Sequence, residues 1–286
     1  MKKIAIIGGT GMIGKPVTEQ LVKAGFDITL LAKNVQKARA LFPGLTVIET
    51  DVFNKRQLLI GLKNQDCVYI SVSPDRTARP SDRMQEKEGI DNIIDAAKDC
   101  GVKRIALLSS LVQDYDGTNG FDWWIFQLKL DAVQKIKSCG IPYSIFYPSS
   151  FMETVNRDLI NGSKLLLTAG SSAPMWFIAG EDYGKQVARA FQIAGNNNQE
   201  YTIQGPEPYT WNEASSIIVA NYRKPLKIMK APLLLLKIAG IFSRKMNYAS
   251  RICEALNKYP EKFSSEAAWE ELGKPTITLA NYIKTL

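Results

Sequence analysis

The first half of the chain alternates short runs of apolar, β-branched residues with longer stretches whose apolar positions recur every three or four residues. The short runs predict strands at 3–7, 27–32, 46–49, 67–71, 104–109 and 143–147. The periodic stretches predict helices at 12–24, 35–41, 55–62, 82–100 and 122–138. Alternation of this kind builds βαβ units, hence a parallel sheet covered on both faces. The runs Ile4 to Ile7 and Ile105 to Leu108 are apolar without interruption, as doubly covered strands must be. The expected fold is α/β: a doubly wound parallel sheet of the Rossmann type, in three αβα layers.

The rhythm changes after Pro148. Breakers become frequent at Gly162, Gly170, Pro174, Gly195 to Asn198 and Gly205-Pro206. Helices are expected at 183–194, 212–222 and 232–242, separated by long connections, and 201–204 is a strand that returns to the sheet. The expected organisation is a first domain, 1–148, and a smaller interleaved lobe, 149–286, with 183–204 returning to the first part.

The first strand leads into Gly8-Gly9-Thr10-Gly11-Met12-Ile13-Gly14 and then a helix. In such a loop the first glycine makes the tight turn, the second lets a pyrophosphate approach the backbone, and the third lets the helix pack closely. Free amides at the helix start then face the phosphates. The overlapping pattern Gly9 to Lys15 also fits a triphosphate-binding loop. That motif needs a Ser or Thr after the lysine to hold magnesium, and Pro16 stands there instead. A dinucleotide is therefore the expected ligand. Its contacts are expected from Gly8, Thr10, Gly11, Met12, Ile13 and Gly14, with Val52, Ser71 and Tyr147 beside them.

Sites selective for the unphosphorylated cofactor place an acid after the second strand, about 20 residues beyond the glycines. Here that strand ends in Ala32-Lys33-Asn34. A cation suits a 2′-phosphate, so NADP(H) is favoured over NAD(H). Asp51, after the third strand, is placed either to reach the adenine edge or to stabilise a turn; both alternatives stay open.

Composition narrows the chemistry. The 286 residues are 45% hydrophobic and 22% charged, an ordinary globular balance. No apolar run reaches the roughly 20 residues of a membrane span; the longest, 233–242, contains Lys237. Histidine is absent, which excludes histidine bases, Ser-His-Asp triads and His-ligated metals. Cys67, Cys100, Cys139 and Cys253 are too scattered for a disulfide framework or a metal site. The expectation is a cytoplasmic protein without bound metal. The net charge of +8 is spread along the chain, with mild clusters at 33–39 and 223–230, so neither nucleic acid nor membrane is expected as a partner.

Beyond the glycine loop, the segments 31–38 (LAKNVQKA), 89–97 (GIDNIIDAA), 101–110 (GVKRIALLSS) and 148–153 (PSSFME), with Asp51, Lys129, 204–207 (QGPE) and 211–213 (WNE), resemble the short-chain dehydrogenase/reductase superfamily and its atypical NmrA-like branch. The resemblance implies a seven-stranded sheet with a small C-terminal substrate lobe. It also implies either an NADPH-dependent reductase of quinones, carbonyls and related small molecules, or a non-catalytic cofactor sensor.

The superfamily's catalytic pair is Tyr-x-x-x-Lys on one helix face. Lys129 matches the lysine, and Ile125 stands where the tyrosine would be. Lys129 shares its face with Ile125, Ala132 and Ile136, an apolar stripe in which a charge needs a partner. Ser109 and Ser110 end the fifth strand, and one matches the serine that hydrogen-bonds a substrate oxygen. Tyr115 and Tyr147 are the candidate replacement acids. Trp123, Trp124, Phe151, Met152 and Trp176 are candidates to line a pocket for a flat apolar or aromatic substrate. Three functions compete: a reductase working without the usual tyrosine, a cofactor-sensing regulator, and an epimerase or isomerase. If Lys33 reads the 2′-phosphate, Lys33→Glu should cut the preference for NADPH over NADH about tenfold or more, since a charged hydrogen bond contributes roughly 1.5–3 kcal/mol. Calorimetric titration of both cofactors measures this, and an unchanged ratio removes the assignment.

Overall fold

The computed structural model describes residues 1–168 and 173–286; Gly170, one of the expected breakers, lies outside the described residues. In chain order the elements of the first half are β1 (Lys3–Ile7), α1 (Gly14–Lys23), β2 (Asp27–Ala32), α2 (Val35–Leu41), β3 (Thr46–Glu49), α3 (Lys55–Leu62), β4 (Cys67–Ile70), α4 (Ile90–Asp99), β5 (Arg104–Leu108), α5 (Trp124–Ser138) and β6 (Tyr143–Pro148). The second half adds β7 (Ile160–Asn161), β8 (Lys164–Thr168), β9 (Met175–Trp176), α6 (Gly180–Ile193), β10 (Gln199–Ile203), β11 (Pro208–Tyr209) and α7 (Trp211–Asn221). It ends with β12 (Lys227–Ala231), α8 (Leu233–Phe242), α9 (Arg244–Lys258), α10 (Glu266–Leu272) and α11 (Leu279–Lys284).

Seven strands form one parallel sheet in the order β10-β6-β5-β4-β1-β2-β3. Ile4, Ala5 and Ile6 of β1 and Val68, Tyr69 and Ile70 of β4 are fully buried, because helices cover both faces. The sheet is the expected Rossmann-type α/β architecture. Strand order reverses direction between β1 and β4, so the loops that leave these two strands diverge and open a crevice at the carboxyl edge. Among the described residues, no helix is long and apolar enough to cross a membrane.

Local chemistry explains several boundaries. Asn34 and Asn54 cap α2 and α3, their side chains accepting from the amides of Lys37 (2.9 Å) and Gln57 (3.2 Å). Pro16 is the third residue of α1, where an amide would have no partner within the helix, so the ring breaks no bond. Thr210 and Glu213 form a reciprocal capping box at the start of α7.

The structure departs from the expected elements in several places, among them β7, β8, β9, β11 and β12, strands that the second half is not expected to hold. The single helix expected at 82–100 is a π-helical turn, Gln85–Gly89, followed by α4. The strand expected at 201–204 is the longer β10, paired in parallel with β6 from Gln199↔Ser144 to Ile203↔Pro148. Beyond residue 242, where no element is expected, the chain forms α9, α10 and α11. Of these, α9 turns Tyr248, Ile252 and Leu256 inward at a helical repeat, beside the buried Ser250, Glu254 and Ala255, so its period is present in the sequence although no helix is expected there.

Helix α6 lies against α1. A Cβ at Gly184 would come 2.9 Å from the carbonyl oxygen of Pro16 and 2.9 Å from Cγ of Gln20. The two helices are this close only because α6 has no side chain there. Gly184→Val should therefore lower the unfolding free energy by about 1–3 kcal/mol through overpacking. Urea denaturation tests this, and a midpoint equal to wild type contradicts it.

Candidate functional site

At the end of β1 the chain turns through Gly8, whose φ is +85°, a left-handed conformation that favours glycine. The turn is tight for a tertiary reason. A Cβ on Gly8 would lie 2.0 Å from the carbonyl oxygen of Ser71, at the end of β4, and one on Gly14 would lie 2.0 Å from the carbonyl oxygen of Gly8. Ser71 in turn donates its amide to Ile7 at 2.9 Å. The loop is thus folded down onto the neighbouring strand and onto itself. Gly11 donates to the carbonyl of Gly8 at 3.0 Å. Ile13, at the helix start, contributes no side-chain cap, and the first turn of α1 holds no acid. Among the described residues, no acceptor takes the amides of Met12 and Ile13. The positive end of α1 is left with donors available to an anion.

Thr10 and Met12 are partly exposed, whereas Ile13 is buried. Val52 is also buried and packs beside Gly89; its carbonyl accepts from Asn92 at 3.0 Å.

Lys33 and Asp51 lie at the ends of adjacent strands, and the structure joins them. Lys33 Nζ is 3.2 Å from Asp51 Oδ2, with both side chains about half exposed. Such a pair contributes roughly 0–1 kcal/mol and yields readily to a stronger anion. Asp51 also accepts from the amide of Phe53 (3.0 Å), a turn-stabilising role, while Asn54 caps α3. Lys33, Glu49, Asp51, Phe53, Asn54 and Gln57 line an open cleft of about 360 Å³. Phe53 forms an aromatic wall there, with Lys33 5.2 Å and Arg83 4.4 Å from its ring centre. Arg83 had no signal in the sequence.

On α5, Ile125, Ala132 and Ile136 are buried and Lys129 is partly exposed. The group facing the lysine is Glu86, from the π-helical turn. Glu86 is 3% exposed, and neither carboxyl oxygen has a hydrogen-bond partner among the described residues. Burial pushes the Glu86 carboxyl up and the Lys129 ammonium down, and each charge partly offsets the other's shift. No spacing in the sequence pairs positions 86 and 129; the wide turn and α5 bring them together.

Ser109 is buried and donates to Gln113 Oε1 at 2.7 Å, whereas Ser110 is partly exposed and caps nothing. Tyr115 is 1% exposed, in an aromatic cluster with Phe121 (5.2 Å between ring centres) and Tyr259 (6.4 Å). Tyr147 donates to Glu200 Oε2 at 2.9 Å, and burial together with that carboxylate pushes its phenol up. The apolar candidates do not share one cavity. Trp123 and Trp124 line a cleft of about 470 Å³ with Asp122, Asn247 and Arg251. Phe151 packs on Tyr183, Met152 sits in the core of the second half, and Trp176 packs on Phe263.

The segment 148–153 ties separate parts of the second half together. Glu153 accepts from the amide of Gly180 (2.8 Å), at the start of α6, a favourable place for a carboxylate. Ser149 and Gln204 both donate to Glu261, at 2.8 and 2.7 Å. Glu261 is 6% exposed, and burial pushes its carboxyl up to about 7.

Against known proteins, the NmrA-like family matches residues 1–283. The NAD(P)H azoreductase of Xenophilus azovorans is 22% identical over 98% of this chain and 96% of its own length. The photosystem II assembly factor Ycf39 of Synechocystis is 21% identical over 99% and 90%. Among solved structures, an NADPH-dependent quinone oxidoreductase of a new type from Escherichia coli superposes with a TM-score of 0.78, at 21% identity over 99% and 98% of the two chains. The Citrobacter sp. triphenylmethane reductase complexed with NADP(H) gives 0.79, at 19% identity over 99% of each. These structures share the fold described above.

Glu261 supplies a pH test of this packing. Its carboxyl is neutral in both folded and unfolded chains below the ordinary value of 4.5, so its full contribution to stability is present there. As pH rises from 4.5 towards about 7, the unfolded chain ionises first and stability is lost, by up to roughly 3 kcal/mol. Glu261→Gln should remove that part of the decline. Unfolding free energies of wild type and variant that run parallel across this interval would falsify the assignment.

Proposed function

This chain belongs to the NmrA-like family, and from that premise we propose that it is an NADP(H)-dependent reductase of small, flat, apolar acceptors such as quinones or related carbonyls. The observation that carries the reading is the uncapped start of α1, held against β4 by the Gly8–Ser71 contact and flanked by a lysine at the end of β2.

Each residue has a role in this reading. Residues 1–148 hold the cofactor, and 149–286 shape the acceptor side, with 183–204 returning to the sheet. The amides of the loop Gly8, Thr10, Gly11, Met12, Ile13 and Gly14 receive the diphosphate. Ser71 fixes the shape of that loop. Lys33 leaves Asp51 for the 2′-phosphate, Asp51 and Val52 border the adenine, and Phe53 offers its ring face. Lys129, whose charge is supported by nearby Glu86, donates to the nicotinamide ribose. Ser110, the freer of the two serines, donates to the acceptor oxygen; Ser109 is held by Gln113.

NADPH, when bound, supplies the hydride; the protein supplies orientation and a dry surface. Quinone chemistry suits a site without the usual tyrosine. Adding hydride to a quinone leaves an aromatic hydroquinone anion, which water protonates without an enzyme acid. Neither Tyr115 nor Tyr147 serves as that acid in this reading, since the first is buried among aromatic rings and the second is held by Glu200. Ile125, 3% exposed where the superfamily has its tyrosine, favours a second reading, a cofactor-sensing regulator.

Incubation with NADPH and a panel of quinones and aldehydes, followed by the absorbance of the reduced nicotinamide, separates the two. Turnover supports the reductase, and tight binding without turnover supports the regulator. Lys129→Ala should weaken NADPH binding about tenfold, the loss expected of one charged hydrogen bond. Equal affinities would remove Lys129 from the cofactor site.

A further inference from the structure

The segment from β12 to the start of α9 has no part in the cofactor site, and its surface is unusual. Helix α8 reads Leu-Leu-Leu-Leu-Lys-Ile-Ala-Gly-Ile-Phe. A helix apolar all round is normally buried. Here Leu234 is 67% exposed, Leu235 58%, Ile238 47%, Ile241 76% and Phe242 87%. Positions 234, 238, 241 and 242 follow the helical repeat, so these side chains form one outward stripe. The inward side is held on α9. Gly240 lies close enough that a Cβ would meet Asn247 Cα at 2.9 Å, and Lys237 pairs with Glu254 at 2.8 Å.

Charge along this stretch of chain is basic, although Glu254 pairs with Lys237 and Asp75 lies near Lys245. Between Glu213 and Glu254 the chain contains no acidic residue. It carries Arg223, Lys224, Lys227, Lys230, Arg244 and Lys245, all exposed, besides Lys237 and Arg251, which Glu254 engages. The adjoining sheet repeats the pattern. In the parallel pair β8–β12, Lys227 is in register with Lys164 and Met229 with Leu166, and all four are exposed. Two lysines directly opposite repel each other in a sheet unless an anion lies against them.

We propose that this face, α8 with its basic surroundings, docks on the surface of an anionic lipid bilayer. Ten helical residues span about 15 Å, half a bilayer core, so α8 lies in the plane of the interface rather than across it. The outward leucines, isoleucines and Phe242 enter the headgroup boundary while the lysines and arginines meet lipid phosphates. A second copy of the chain fits this face less well. Stacking two surfaces of the same sign brings like charges together, whereas anionic lipid offsets both the apolar exposure and the charge. The proposal is independent of the cofactor reading.

The test is sedimentation of the full chain with vesicles of phosphatidylcholine alone and of phosphatidylcholine mixed with phosphatidylglycerol. The chain should pellet with the mixed vesicles, far less with the neutral ones, and be partly released by salt. Ile241→Glu/Phe242→Glu and Lys224→Glu/Lys227→Glu should each weaken binding about tenfold or more. Both should keep the wild-type melting temperature, since all four positions are exposed. Three results overturn the proposal. The first is a wild-type chain that stays in the supernatant with both vesicles. The second is equal binding to both vesicles or by all variants. The third is light scattering that shows a lipid-free dimer which Ile241→Glu/Phe242→Glu converts to monomer.

Discussion

At the carboxyl edge of the sheet two backbones meet with no room for a methyl group between them. The Ser71 carbonyl occupies the space beside Gly8, and the Gly8 carbonyl occupies the space beside Gly14. Because β1 and β4 are adjacent, and because strand order reverses between them, this contact sets the angle at which the chain leaves the sheet. It therefore sets where α1 begins and where its free amides point. The packing of α6 on α1 follows from the same placement, since Pro16 and Gln20 rise from the helix so positioned.

Around that edge the protein buries carboxyl groups, and each is accommodated differently. Glu153 receives an amide from the start of α6. Glu261 receives two side-chain donors and links 149, 204 and 261 across the interleaved second half. Glu86 receives none among the described residues and relies on the Lys129 charge. An unsatisfied buried carboxyl is costly. Its presence beside Lys129 concentrates polarity between the π-helical turn and α5.

The second half combines two kinds of surface. Near the sheet it is closely packed, with Met152, Phe177 and Leu279 in its core. Farther along, α8 keeps most of its apolar side chains outward and basic residues around them. The cofactor edge and this face thus meet different partners, a soluble dinucleotide at one and an extended anionic surface at the other.

The sequence by itself determined most of the parallel sheet. β1, β2 and β3 run as their apolar patterns require, and the glycine spacing marked where the chain turns from strand to helix, because local periodicity and turn chemistry act over neighbouring residues. It also marked Lys33, Asp51 and Lys129, but as separate positions. Only the tertiary structure joined Lys33 to Asp51, set Glu86 behind Lys129, tied the Tyr147 hydroxyl to Glu200 and closed Tyr115 into a cluster of rings. Of the later helices, α9 carries an apolar repeat, Tyr248, Ile252 and Leu256, but the burial of the polar Ser250 and Glu254 beside it was decided by packing alone. Contacts between residues tens of positions apart are set by how elements pack, and no pattern along the chain records that distance.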